Sequence, residues 1–164
     1  MLLFVRSLFW TVLVPGTVTI VIPYLIVGRG SSIDLSNWDP IQLAGLILFI
    51  PGVAILLNCI WSFAASGRGT LSPLDAPKRL VVDGLYRYVR NPMYLGVLLI
   101  LLGETLWFES RDLAGYTAAW FLLVNLIVLL YEEPNLRARF GESYDRYCRV
   151  VRRWLPGRPF GSDV

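Results

Sequence analysis

Long apolar runs alternate with charged stretches along this chain. The first run extends from Leu8 to Val27 and contains Pro15, Gly16 and Pro23. The second extends from Ile41 to Ala65, with Pro51-Gly52 near its middle. The third is shorter, Pro92 to Phe108, and carries Glu104; the fourth runs from Leu113 to Tyr131. A helix needs about 20 apolar residues to cross a bilayer. The pattern therefore predicts an all-α fold, a polytopic membrane bundle of four transmembrane helices at about 8–27, 41–65, 92–108 and 113–131. Residues 1–164 form a single membrane domain in this reading, with a loop at 66–91 and a tail at 132–164. The first run is too long for a signal-peptide core, and no A-x-A-like site follows it, so it is expected to stay in the protein. Prolines inside a spanning helix are tolerated where neighbours re-satisfy the freed carbonyls, and Pro51-Gly52 predicts a kink.

Charge supplies the orientation. Of fifteen Lys and Arg residues, thirteen fall at Arg6, in the loop after the second run or in the tail; only Arg29 and Arg111 fall on the other side. The positive-inside rule places both termini and the middle loop in the cytosol, consistent with an even number of spans. The expected location is the inner or cytoplasmic membrane. The net charge of +3 is then topological, and no nucleic-acid partner is implied. The four-residue link Glu109 to Asp112 predicts a tight antiparallel hairpin of the third and fourth helices.

Composition narrows the chemistry. The chain is 55% hydrophobic and 16% charged, with no histidine and two cysteines, Cys59 and Cys148. The lack of histidine removes the commonest general base and His-ligated metals. Two separated cysteines make neither a disulfide nor a zinc site, so no metal is expected, and no dinucleotide or P-loop pattern is present. What remains is carboxylate, arginine and tyrosine.

Two cytosolic stretches concentrate those residues. In 80–96, LVVDGLYRYVRNPMYLG, Asp83-Gly84 reads as a turn. Asn91 and Pro92 read as the N-cap and first residue of the third helix. A helix N-terminus beside Arg87 and Arg90 suits a carboxylate or phosphate; an ordinary interfacial belt of tyrosines and lipid-paired arginines would look the same. In 131–156, YEEPNLRARFGESYDRYCRVVRRWLP, Glu132 and Glu133 stand where the fourth helix leaves the bilayer. The hairpin brings them to the start of the third helix. Facing basic and acidic groups would hold a zwitterion; alternatively, a glutamate simply pairs with Arg87 or Arg90. After Pro134 the tail reads as an amphipathic helix broken at Gly141, with Tyr144, Tyr147 and Val151 on one face and Arg146, Arg149 and Arg153 on another. Trp154-Leu155 reads as an interfacial anchor. Simple attachment to anionic lipid would use the same arginines.

The run Tyr86-Arg-Tyr-Val-Arg-Asn-Pro-Met-Tyr-Leu-Gly96 resembles the R-H-P-x-Y-x-G element of the isoprenylcysteine carboxyl methyltransferases and their prokaryotic relatives. Glu132-Glu133-Pro-x-Leu, with Phe140-Gly141-x-x-Tyr144-x-x-Tyr147 and Trp154-Leu155-Pro156, is similar to that family's C-terminal signature. The likeness covers about residues 69–156, and the wider group includes phospholipid methyltransferases. It implies an integral membrane enzyme that moves a methyl group from S-adenosyl-L-methionine to a lipophilic or lipidated acceptor at the cytosolic face. Carried over by position, the cofactor site comprises Tyr88, Arg90, Asn91, Pro92, Tyr94, Gly96, Glu132 and Glu133. Arg90 and Glu133 are the candidate catalytic residues: Arg90 orients the acceptor or the cofactor carboxylate, and Glu133 holds the cofactor's cationic end. One departure matters, because the family's usual histidine is Asn91 here, which hydrogen-bonds but does not titrate near neutral pH. A non-catalytic membrane partner of the same fold is the second reading. A small transporter is the third, with Glu104, Asn58 and Asn125 as its only clear polar lining. Glu104 itself is expected near the outer headgroups.

Overall fold

The computed structural model describes residues 13–28, 39–66, 80 and 82–161. The expectations placed on Arg6, on Arg29 and on the basic residues at 68, 78 and 79 of the middle loop lie outside the described residues. Among the described residues the main helices follow in order, α1 (Leu13–Val27), α2 (Pro40–Ser66), α3 (Pro92–Trp107), α4 (Arg111–Phe140) and α5 (Glu142–Val150), with a short 3-10 helix, Gly84–Arg87, before α3. No named strand occurs among the described residues. Pro40–Ser62 within α2 and Arg111–Phe140 are long and apolar enough to cross a membrane, while α1 and α3 are shorter apolar helices. Only 22% of each long span's most apolar window is buried inside the protein. A soluble core helix would be mostly covered; here Ile47, Ile50, Leu57 and Trp61 of α2 and Leu122, Leu126 and Leu130 of α4 point outward.

The α2–α3 contact depends on glycine. Gly45 lies against Gly103 and Gly52 against Gly96, seven residues apart on each helix, as two turns of antiparallel partners require. A Cβ built on Gly45 would stand 2.7 Å from the Gly103 carbonyl oxygen, and one on Gly52 would stand 2.8 Å from the Ile100 amide nitrogen. The backbones therefore touch with no side chain between them, the packing that apolar helices use when lipid supplies no hydrophobic drive. Leu56, Val97, Ile100 and Leu101 form a buried cluster around this seam, with Phe49, Val53 and Trp120 against it. Although Pro51 lies inside it, α2 is helical throughout 40–66, and Gly52 serves the seam.

Two prolines reshape the other helices. Pro23 has no N–H to give Thr19, and its ring crowds that carbonyl. Thr17–Val21 accordingly widens into a π-segment in which the Ile22 N–H reaches Thr17 O. The Val18 carbonyl then accepts the Tyr116 hydroxyl of α4 at 3.1 Å, tying α1 to α4. Pro134 follows the second π-segment, Val128–Glu132, where the Glu133 N–H reaches Val128 O. Sequence reasoning ended the fourth span at Tyr131 and began a separate tail helix after Pro134. Instead α4 runs on to Phe140 through the π-segment and stops at Gly141, whose φ of 52° favours glycine. The α3–α4 link is shorter than expected, residues 108–110. Ser110 caps α4 by accepting the Leu113 N–H at 3.3 Å, and Arg111 and Asp112 already belong to the helix.

Candidate functional site

The extra residue of the second π-segment turns everything beyond it by about 100° relative to a regular helix. That rotation matters for Glu132 and Glu133, which stand just past the apolar run. Glu133 is 8% exposed and faces the start of α3. Arg90, the residue before the Asn91 N-cap, places Nη1 3.1 Å from Glu133 Oε1. Arg153, from the tail, grips the same carboxylate with both arms: Nε to Oε1 at 2.7 Å and Nη2 to Oε2 at 2.9 Å. Arg90 Nη1 also lies 3.0 Å from the Cys148 sulfur, while its Nε is buried without a hydrogen-bond partner. Glu132 turns aside to Tyr94 of α3, whose hydroxyl donates to Oε1 at 2.5 Å. Adjacent carboxylates thus have opposite surroundings, one ion-paired twice and one held by a phenol.

The electrostatics follow. The Arg90 and Arg153 guanidiniums offset the burial of the Glu133 carboxylate, whereas the Glu132 carboxylate has the Tyr94 hydroxyl against it and no ion pair among the described residues. Arg137, the next cation nearby, is taken by Asp145 at 2.8 Å.

The tail is a strap across this site. Tyr144, Tyr147 and Val151 are buried with Leu80, Val82, Leu136, Phe140 and Phe160 packed around them. Past α5, Val151 is extended and an isolated bridge joins Arg152 to Val89; the chain beyond it bends and meets the segment leading into α3 in reverse order. The Arg90 N–H donates to Arg152 O, the Gly157 N–H to Tyr88 O and the Phe160 N–H to Arg87 O, each at 2.9 Å. Tyr147 adds its hydroxyl to Tyr86 O at 2.6 Å. Trp154 donates Nε1 to Asn125 Oδ1 at 3.0 Å, with its ring tilted against Phe121. The residue expected to anchor at the lipid interface is therefore also a contact onto α4.

Of the residues expected to form the site, Arg90, Asn91, Tyr94, Glu132 and Glu133 come together. Asn91 does so in an unexpected way. Its side chain makes no cap hydrogen bond; Nδ2 donates to Arg153 O at 3.3 Å. Pro92 is fully buried at the start of α3. Gly96 faces α2, with Gly52 O 3.0 Å from where its Cβ would be. Tyr88 contributes its carbonyl to the strap and leaves its ring exposed. Arg87 bonds Phe160 O through Nε at 3.2 Å, so the glutamates pair with Arg90 and not with Arg87. Cys59 and Cys148 are both free, as expected. No group of three or more metal-ligating side chains occurs among the described residues.

Arg153 was missed as a site residue. Helical spacing set it on a different face from Tyr144 and Tyr147, but α5 ends at Val150. In an extended segment alternate residues change sides, so Val151 turns into the core, Arg152 out, and Arg153 back to Glu133. The usable signal was Trp154-Leu155-Pro156 so soon afterwards, which marks where the helix stops.

The phospholipid methyltransferase family model matches residues 41–143, from α2 to the start of α5. An uncharacterized protein of Haemophilus influenzae is 47% identical over 64 residues, 38% of this chain and all of that protein. The protein-S-isoprenylcysteine O-methyltransferase of Schizosaccharomyces pombe is 33% identical over 79 residues, 47% of this chain. The match spans a third, 33%, of that enzyme's length. No solved structure matches.

Proposed function

The chain belongs to the phospholipid methyltransferase family, and from that membership we propose that it transfers a methyl group from S-adenosylmethionine to a lipophilic acceptor at the cytosolic membrane face. The acceptor atom is a carboxylate oxygen, as in isoprenylcysteine carboxyl methylation, or an amine or thiol. In this reading α1 to α4 all span the membrane as a single domain and both termini are cytosolic. The observation that carries it is the meeting of Arg90, Tyr94, Glu132, Glu133 and Arg153 where α3 begins and α4 leaves its apolar run. The bound cofactor supplies an electrophilic methyl on a sulfonium, a good leaving group. The protein's part is alignment and exclusion of water. Arg90 and Arg153 suit a carboxylate, since a guanidinium fork matches its two oxygens. The strap of residues 151–160 covers the charged groups from the cytosol, and the acceptor reaches them laterally from the bilayer.

A non-catalytic membrane partner of the same fold is the second reading, favoured by Asn91 at the position where the resemblance implies a histidine. Asn91 here is occupied with the Arg153 carbonyl, a structural task that needs no titrating group. The two readings separate on turnover. Purified protein in nanodiscs of host lipid, given methyl-tritiated S-adenosylmethionine, is expected to move label into the organic-extractable fraction. If label appears only at the level of lipid alone while the protein remains folded, the catalytic reading fails and the partner reading replaces it.

A further inference from the structure

The strap makes a contact that the site does not require. Both ends of its turn are pinned to one short segment: Arg152 O accepts the Arg90 N–H, and the Gly157 N–H donates to Tyr88 O. The residues between them, 153–156, project as a loop, and two consecutive side chains take separate heights along α4. Arg153 reaches Glu133. Trp154 donates to Asn125 Oδ1, and its ring centroid lies 5.3 Å from that of Phe121. Asn125 and Phe121 stand two and three turns before Glu132, about 10 and 16 Å into the apolar run at 1.5 Å per residue. The Trp154 ring is therefore at acyl-chain depth when α4 crosses the bilayer. There the indole satisfies the Asn125 carbonyl, whose own amide bonds Phe121 O; left facing lipid, that carbonyl would be costly. Leu155 follows, 64% exposed. Arg152 and Arg158 flank the loop, exposed and in no ion pair among the described residues.

We propose that the strap is a membrane-inserted element whose partner is anionic lipid of the cytosolic leaflet: Trp154 and Leu155 enter the acyl layer beside α4, and Arg152 and Arg158 bind lipid phosphate at its edge. Apolar side chains between cations mark a segment that lies in a charged bilayer surface. An acidic soluble partner would meet the two arginines equally well, but it would leave the exposed Leu155 and the depth of Trp154 without a use. The proposal rests on the placement of α4 across the membrane and goes beyond methyl transfer. Arg153 and Trp154 are neighbours in the chain, so lipid that holds the loop down also holds Arg153 on Glu133. Anionic lipid thereby keeps the strap shut over the site.

The test replaces Leu155 of the full-length protein with the photoreactive residue p-benzoylphenylalanine and, as a reference, Leu126, which is exposed within the apolar run of α4. Irradiated in membranes of the expressing cell, the probe at 155 is expected to form lipid adducts, read by mass spectrometry. In nanodiscs of equimolar phosphatidylcholine and phosphatidylglycerol, adducts of the anionic lipid should exceed the others about fivefold, the worth of one arginine at an anionic surface. Arg152→Gln combined with Arg158→Gln should abolish that excess and keep the lipid adducts. Lipid adducts from 126 but none from 155, or adducts joining 155 to a second protein, overturn the proposal. Equal yields from the two lipids, or an excess that survives the double substitution, overturn the role of the arginines and with it the anionic partner. No lipid adduct from 126 is a different failure, because it takes α4 itself out of the bilayer.

Discussion

Replacing Glu133 with glutamine is expected to cost about 3 kcal/mol of folding stability, the scale measured when one partner of a buried ion pair is removed. The size follows from what is left behind. Arg90 and Arg153 have side chains only 14% and 29% exposed. Without the carboxylate, two part-buried guanidiniums repel each other in a medium that screens poorly. The cheapest relief is for the strap to lift, because Arg153 sits on an extended segment while Arg90 is fixed at the start of α3. Thermal unfolding in detergent should show the loss. Trypsin should then cut faster at Arg146, Arg149 and Arg152, which are already exposed. Cofactor affinity should fall with it, since the guanidiniums are no longer aligned. A variant that melts with wild type and resists trypsin equally would show that Glu133 is not the hub.

The second large effect is placed away from the chemistry. Gly52→Val is expected to destabilise the protein by about 3 kcal/mol, the upper part of the usual overpacking range. The Cβ alone would meet Ile100 N at 2.8 Å and Gly96 O at 2.9 Å. Those are backbone atoms, so no rotamer change relieves the clash and α2 must move off α3. The same holds at Gly103, where a Cβ would stand 2.7 Å from Gly45 O. Gly115→Ala is the matched control: nothing lies within 4 Å of its added methyl, and helix propensity favours alanine by up to about 1 kcal/mol. Equal melting of Gly52→Val and wild type would mean that the helices are not in backbone contact.

The difference between these two sites shows what the chain made legible. Apolar run length placed α2 and α3 within a residue or two, because an apolar stretch that long has few folds open to it. The meeting of the glutamates with Arg90 followed from a short hairpin link, which leaves the helices little freedom. The glycine seam was not read, since glycine in an apolar helix also marks kinks and caps; only the spacing of seven shared by 45–52 and 96–103 distinguishes it. The π-segments escaped for a related reason. Pro23 and Pro134 signalled trouble in the hydrogen-bond ladder, but whether a proline breaks, kinks or widens a helix depends on which donor reaches the freed carbonyl. For Val18 that partner is Tyr116, 98 residues away. Arg153 required knowing that α5 stops at Val150, where Val151 turns into the core and Trp154-Leu155-Pro156 follows closely.

If the glutamate pair, the start of α3 and the strap form a site for S-adenosylmethionine, as proposed, the purified protein binds the cofactor's product. Calorimetric titration of the purified wild-type protein with S-adenosylhomocysteine tests it most directly. Saturable binding at one site per chain is the predicted result. No binding heat over a range of temperatures, from protein shown to be folded by its cooperative thermal transition, would contradict it.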